Sequence, residues 1–198
     1  FKHVLANIPT DAVIEMDADF QHKPSDMLKL AAKADEGYDY VIGSRFIEGG
    51  SIPKDWSLYR KLVSKGGNIF SSIVLGIRGV HDYTSGFKLT RVQGVLDKMD
   101  LDNIMSQGFA YKIDLLYKAK KVGAKIGEVP IEFGLRDRGD SKMEKNNFMD
   151  SLKVVLMLRM KEHPSFYKFL MVGFAGLGTD IILFNTLRLF MASGYASA

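Results

Sequence analysis

The sequence predicts an α/β domain around a mostly parallel sheet, followed by an amphipathic helix and one membrane-spanning helix. Three observations carry this expectation. Two short, largely apolar runs, Ala12 to Met16 and Tyr38 to Ile42, flank a helical stretch from Pro24 to Glu36, which is the strand, helix, strand alternation of a parallel crossover. From Phe148 the residues Met149, Leu152, Val155, Leu156 and Met160 recur at helical spacing, with Lys153, Arg159 and Lys161 between them. Phe166 to Phe190 then forms a nearly unbroken apolar stretch, close to the roughly 20 residues a bilayer core requires.

Composition sets the outer bounds. A chain of 198 residues, 46% hydrophobic and 25% charged, buries a real core rather than remaining disordered. Its formal net charge of +4 suits anionic substrates, lipid headgroups or nucleic acid equally, so sign alone selects no partner. With no cysteine, disulfides and thiolate metal sites are excluded, and a metal must take oxygen ligands or the four histidines. The chain opens at Phe1 without a basic, apolar, small-residue leader pattern, and reads as a fragment.

The elements follow in order. The first strand ends in acidic residues, Asp17 and Asp19, and the second ends at Gly43, Ser44 and Arg45. In an open parallel sheet ligands sit beyond the carboxyl ends of strands, so both segments belong to one functional rim. Ser25 is the expected N-cap and Gly37 the expected C-cap of the intervening helix. Leu58 to Leu75 reads as a helix, as does Phe109 to Val122, closed by Gly123; Lys125 to Phe133 reads as a strand that Pro130 consigns to an edge or a late start. Arg136 to Asn147 is polar and charge-dense, a loop. Lys153, Arg159 and Lys161 precede the apolar span and Lys168 stands at its start, which by the positive-inside rule keeps the preceding domain on the cytoplasmic face.

Several residues carry candidate chemistry. Asp17 and Asp19, two residues apart and followed by Gln21, can converge on one hard divalent cation, Mg2+ or Mn2+, which in turn can hold a diphosphate. Alone the pattern is weak, because paired acids also arise in ordinary surface loops. His22, in a polar turn before Lys23 and Pro24, reads as a solvated histidine. Ser44 and Arg45, Trp56 and Arg60, and Arg138, Ser141 and Lys142 supply hydroxyls and cations from three segments, and the planar arginine fork suits phosphate. The run Asp82 to Lys88 combines an acid, the hydroxyls of Thr84 and Ser85, and Gly86, where backbone can approach a ligand; a plain turn explains the same residues equally well.

In this order, DADFQH, VIGSRF, Trp56-x-x-x-Arg60, DYTSGFK and IGEVPIEF followed by RDRGDSK, the chain resembles the dolichol-phosphate mannose synthase group of glycosyltransferase family 2 over about Ala12 to Lys142. The phrase FLMVGFAGLGTDIILF resembles the start of a GtrA-type membrane domain. The resemblance implies a GT-A fold in residues 1–145, incomplete at its N-terminus, a juxtamembrane helix in 146–164 and the beginning of the GtrA-like domain in 165–198. It implies Mg2+ or Mn2+ at Asp17, Asp19 and Gln21, a nucleotide-sugar donor such as GDP-mannose or UDP-glucose, a dolichyl or polyprenyl phosphate acceptor, the membrane as partner and no nucleic acid. Arg45 and Arg60 then match positions near the donor and acceptor phosphates, with Arg138, Ser141 and Lys142 in a loop that closes over the site. Asp17, Asp19, Arg60, Arg138 and Lys142 are the expected catalytic set, and Ser44, Arg45, Asp82, Ser85, Gly86 and Ser141 the expected substrate contacts. The family's opening strand and the acidic turn that grips the nucleoside have no counterpart after Phe1. A nucleotidyltransferase, which also uses paired carboxylates, and a non-catalytic membrane module remain alternatives, while a processive synthase is disfavoured by the missing Gln-x-x-Arg-Trp signature.

Overall fold

The apolar runs become strands where their pattern predicts them in the computed structural model, which describes residues 1–106, 108–134 and 145–195. A short helix, α1 (Lys2–Asn7), precedes strand β1 (Ala12–Glu15). A 3-10 turn over Pro24–Asp26 leads into α2 (Met27–Asp35), and β2 (Tyr40–Ser44) follows. Ser25 therefore lies inside the entry turn and caps nothing; Asp26 occupies the N-cap position and pairs with Lys29 at 2.7 Å. Gly37 behaves as expected, taking φ +89° while its N–H donates to the Ala34 carbonyl at 2.9 Å.

The strand order is β1, β3, β2, β4, where β3 is Lys88–Arg91 and β4 is Ile126–Pro130. Strand β2 runs parallel to β4, but β3 is antiparallel to both β1 and β2. Three strands thus share a direction and one opposes them, so the sheet is mixed, and the two strands of the predicted crossover are separated by β3. Nothing local announces that strand: Lys-Leu-Thr-Arg is short, polar at both ends and without a usable alternation. It is buried nonetheless because Lys88 Nζ donates to the Lys112 carbonyl at 2.8 Å instead of reaching water. Strand β4 lies at the end of the order with Pro130 as its last residue, where a missing N–H costs no ladder bond.

Alternation along β2 supplies both faces of the core. Tyr40 and Ile42 join one cluster with Ile113, Leu116 and Tyr117 of α4 (Tyr111–Lys121), whereas Val41 joins Leu30, Phe87, Leu89, Val129 and Ile131 on the side covered by α2. Helix α3 (Leu58–Leu75) has the predicted bounds; the Ser57 hydroxyl accepts from the Arg60 N–H at 3.2 Å and Gly76 ends it at φ +63°. Helix α5 (Lys145–Glu162) packs Val154, Val155 and Leu158 into the first cluster, so its apolar repeat serves the domain core as well as the surface on which Met149, Leu156 and Met160 are exposed.

The chain divides into two compact units, residues 1–158 and 159–198. The second is dominated by α6 (Pro164–Tyr195), of which Pro164–Leu189 is long and apolar enough to cross a membrane and is not buried by protein. Within it the side chains of Thr179, Asn185 and Thr186 donate to carbonyls one turn back, which satisfies polar groups without water. Truncating the central strand residue Ile42, which is fully buried, is expected to cost about 2–5 kcal/mol. Urea denaturation of Ile42→Ala followed by circular dichroism checks this.

Candidate active site

Beyond β1 the chain turns sharply, with Phe20 in the left-handed region at φ 60° and the Asp19 Oδ1 accepting from the Gln21 N–H at 3.2 Å. Gln21 then ties this loop to the segment after β4: its Nε2 donates to the Gly134 carbonyl at 2.9 Å, and the Gly134 N–H returns a bond to the Gln21 carbonyl at 2.8 Å. His22 is 4% exposed, with its ring 5.1 Å from Phe87 and 5.0 Å from Phe133. The expectation of a solvated histidine is thus overturned, because the loop folds back on the sheet and aromatic rings from two other segments enclose it.

Asp17, Asp19, Gln21 and His22 form one wall of a pocket of about 210 Å3. Asp17 faces Lys112 Nζ, 3.0 Å from Oδ2 and 3.4 Å from Oδ1, and His22 Nε2 at 3.9 Å. His22 and Lys112 together hold the Asp17 carboxyl well below the usual carboxylate range, against partial burial that works the other way. At 3.9 Å the histidine acts across space rather than through a hydrogen bond, and Lys112 is the direct partner. Gly86 borders this pair so closely that a Cβ there would collide with Asp17 Oδ2 and Lys112 Nζ.

The rest of the lining is largely cationic and aromatic. Arg45 donates Nε and Nη2 to the two oxygens of Asp82, each at 2.7 Å, and its backbone N–H also reaches Oδ2 at 3.1 Å. Its guanidinium lies 5.1 Å from the Phe133 ring centroid. Arg60 from α3 stacks on Trp56 at 3.8 Å, and α3 adds Ser64 and Gly67, while Phe148 and Leu152 of α5 close the far side. Burial alone would raise the Asp82 carboxyl, but the Arg45 charge and its hydrogen bonds outweigh that and lower it. Glu128 of β4 accepts the N–H groups of His81 and Asp82, each at 3.0 Å, and so fixes the loop that presents Asp82.

Six of the sequence-predicted residues, Asp17, Asp19, Gln21, Arg45, Arg60 and Gly86, line this pocket. Three others stand behind it. Ser44 is fully buried and its Oγ accepts from the Phe46 N–H at 3.4 Å; Ser85 donates to the Gly43 carbonyl at 2.6 Å; Asp82 is spent on Arg45. These side chains fix backbone and guanidinium positions instead of presenting a free polar group. Arg138, Ser141 and Lys142 lie outside the described residues. Lys112 carries no signal in the sequence, since in YKIDLLYKAKK it looks like the three lysines that follow it, and the bond to Asp17 spans 95 positions.

A further, partly buried polar set adjoins the lysine. Tyr111 donates to Glu15 Oε1 at 3.1 Å, burial raises the Glu15 carboxyl, and burial pushes the Lys88 ammonium down to about 7. Among the described residues no three acidic or histidine side chains surround a single point. What the pocket does offer is two carboxylates, Asp17 and Asp19, in its lining, oxygen donors of the kind that hard divalent cations take.

Residues 1–96 match the family model described as glycosyl transferase family 2. The chain is 39% identical over 140 residues to a polyprenol monophosphomannose synthase of Mycolicibacterium smegmatis, covering 71% of this chain and 52% of that protein. It is 37% identical over 170 residues to a dolichol-phosphate mannosyltransferase of Pyrococcus furiosus, covering 84% and 46% respectively. An undecaprenyl-phosphate mannosyltransferase of Micrococcus luteus shares 38% identity over 133 residues, covering 67% and 53%. This chain therefore spans about half the length of the relatives it matches.

Removing Asp82 leaves the Arg45 charge buried without its fork partner, and Asp82→Ala is expected to destabilise the domain by about 3–5 kcal/mol at neutral pH. The folded carboxyl titrates below the unfolded one, so this contribution is complete above the ordinary carboxylate pKa, near about 4, and is lost as pH falls through the lower folded value. Urea unfolding of wild type and variant at neutral and acid pH checks the sign: the difference between them should shrink on acidification.

Proposed function

We propose, from the match of residues 1–96 to glycosyl transferase family 2, that the whole protein transfers a hexose from a nucleotide-sugar to dolichyl or polyprenyl phosphate at a membrane surface. The names of the relatives favour mannose over glucose, and hence GDP-mannose over UDP-glucose as donor. The observation that carries the proposal is the meeting of two carboxylates, Asp17 and Asp19, and two guanidiniums, Arg45 and Arg60, in a single pocket. Such opposed charges suit a reaction that must hold a metal-bound diphosphate and a second phosphate together.

Asp17 and Asp19 would hold Mg2+ or Mn2+, with Gln21 bracing the loop that carries them. When bound, the ion neutralises charge that gathers on the nucleoside diphosphate as it leaves. Arg60 grips the acceptor phosphate and reduces the repulsion between two anionic substrates, while Arg45, its fork held by Asp82, gives the same pocket a fixed guanidinium. That phosphate, with a second pKa of about 6 by analogy with phosphorylated side chains, is already largely an anion near neutral pH, so its oxygen attacks without a dedicated base. The new bond forms at the anomeric carbon on the face opposite the departing diphosphate, giving inversion through an oxocarbenium-like transition state.

The apolar helix α6 supports a lipid-borne acceptor, because an enzyme held at the bilayer meets a polyprenyl phosphate where that lipid resides. Lys153, Arg159 and Lys161 ahead of the span, with Lys168 near its start, favour a catalytic domain on the cytoplasmic face. Helix α6 would then open a GtrA-like membrane domain.

In the full-length protein, Asp19→Ala is expected to abolish transfer of labelled mannose from GDP-mannose to polyprenyl phosphate. Undiminished wild-type transfer in excess chelator would defeat the metal assignment, and release of pyrophosphate would identify a nucleotidyltransferase instead. Arg60→Ala is expected to raise the acceptor KM by roughly 10- to 100-fold, as the loss of a charge-assisted hydrogen bond of about 1.5–3 kcal/mol predicts. Steady-state kinetics with varied acceptor at saturating donor check it.

A further inference from the structure

Lys112 differs from the other lysines of its helix. It is 5% exposed, whereas Lys118 is half-buried and Lys120 and Lys121 point to solvent. Burying an ammonium is costly unless a partner compensates, and here the partner is Asp17, approached at 3.0 and 3.4 Å through both carboxylate oxygens. The surroundings are shaped for this pair. Lys88 holds the Lys112 carbonyl at 2.8 Å, the Phe109 ring lies 4.9 Å from Nζ, and a Cβ at position 86 would displace the Asp17 carboxylate and the Lys112 ammonium from their present places.

Asp17 is nevertheless open to the pocket, its side chain 45% exposed against 7% for Lys112. On the proposed function, on which this inference rests, the same carboxylate must hold a divalent ion. A doubly charged ion on Asp17 would sit beside a fixed ammonium in a partly dehydrated cleft, where like charges repel strongly. That repulsion falls only when further negative charge arrives, and the donor's diphosphate supplies it.

We infer that Lys112 is a built-in counter-cation of Asp17, which disfavours metal uptake by the empty site and turns to the diphosphate when metal and donor enter together. Metal and nucleoside diphosphate then bind with positive coupling, each improving the other's affinity by the same factor. Lys112 is a positioning residue before donor binding and a diphosphate contact after it. A purely structural salt bridge predicts the opposite sign, because its loss would disorder Asp17 and weaken the metal site.

The test is calorimetric titration of the full-length protein with Mn2+ alone and with Mn2+ in the presence of GDP. Lys112→Met is expected to bind Mn2+ alone about tenfold more tightly than wild type, in keeping with removal of a neighbouring like charge, and to show reduced coupling to GDP. Lys112→Arg, which keeps the charge, should retain the weak binding of wild type. If Lys112→Met fails to fold by circular dichroism, Lys112→Gln, whose amide still reaches Asp17, gives the same reading. Mn2+ affinity unchanged or weakened in a folded neutral variant overturns the inference. Should wild-type uptake be lost in Asp19→Ala while Lys112→Met matches wild type, only the inference fails. If wild type takes up no Mn2+ even with GDP, the metal assignment fails and takes the inference with it.

Discussion

The buried fork between Arg45 and Asp82 is the interaction on which the site's geometry rests. Arg45 stands at the carboxyl end of β2, Asp82 on the loop approaching β3, and Glu128 of β4 holds that loop by two backbone N–H groups. Three strands are thereby registered to one another at the rim where ligands of open sheets bind. A buried ion pair seldom adds much net stability, because both groups lose water. Its value here is directional: the bidentate geometry fixes the plane of a guanidinium that forms the pocket wall.

The insertion of β3 has a comparable effect around Asp17. An antiparallel strand between β1 and β2 carries Lys88 and, just before it, Gly86 into the space behind the Asp17 loop. Lys88 reaches the carbonyl of Lys112 and Gly86 leaves room for that residue's ammonium beside Asp17. The mixed topology, less regular than a wholly parallel sheet, is therefore what assembles acid, lysine and glycine at one place. Glu15 and Tyr111 add a partly buried hydrogen-bonded pair next to them.

Aromatic residues give the pocket its remaining character. Trp56 supports Arg60, Phe133 lies against both His22 and Arg45, and Phe109 lies near Lys112. Cations held against ring faces keep their charge while losing rotamer freedom, which favours a preorganised anion site over a flexible one. The proposed lipid-phosphate acceptor is consistent with this mixture, since its headgroup is anionic and its tail apolar.

By itself the sequence determined the elements whose signal is local: the apolar runs of β1 and β2, the α3 helix between Ser57 and Gly76, the closure of α4 before Gly123, and the long apolar span. It also determined the ordered motifs, because their residue types recur at readable spacings. Only the tertiary structure decided that KLTR is a central strand, that His22 is enclosed, that Ser44, Asp82 and Ser85 brace the site from behind, and that Lys112 meets Asp17. The physical reason is distance along the chain. A helical or alternating pattern is written within a few turns, whereas the bonds of Arg45 to Asp82 and of Lys112 to Asp17 join residues 37 and 95 positions apart. Such partners are chosen by strand order and by the cost of leaving a buried charge alone, and neither can be read from a window of neighbours.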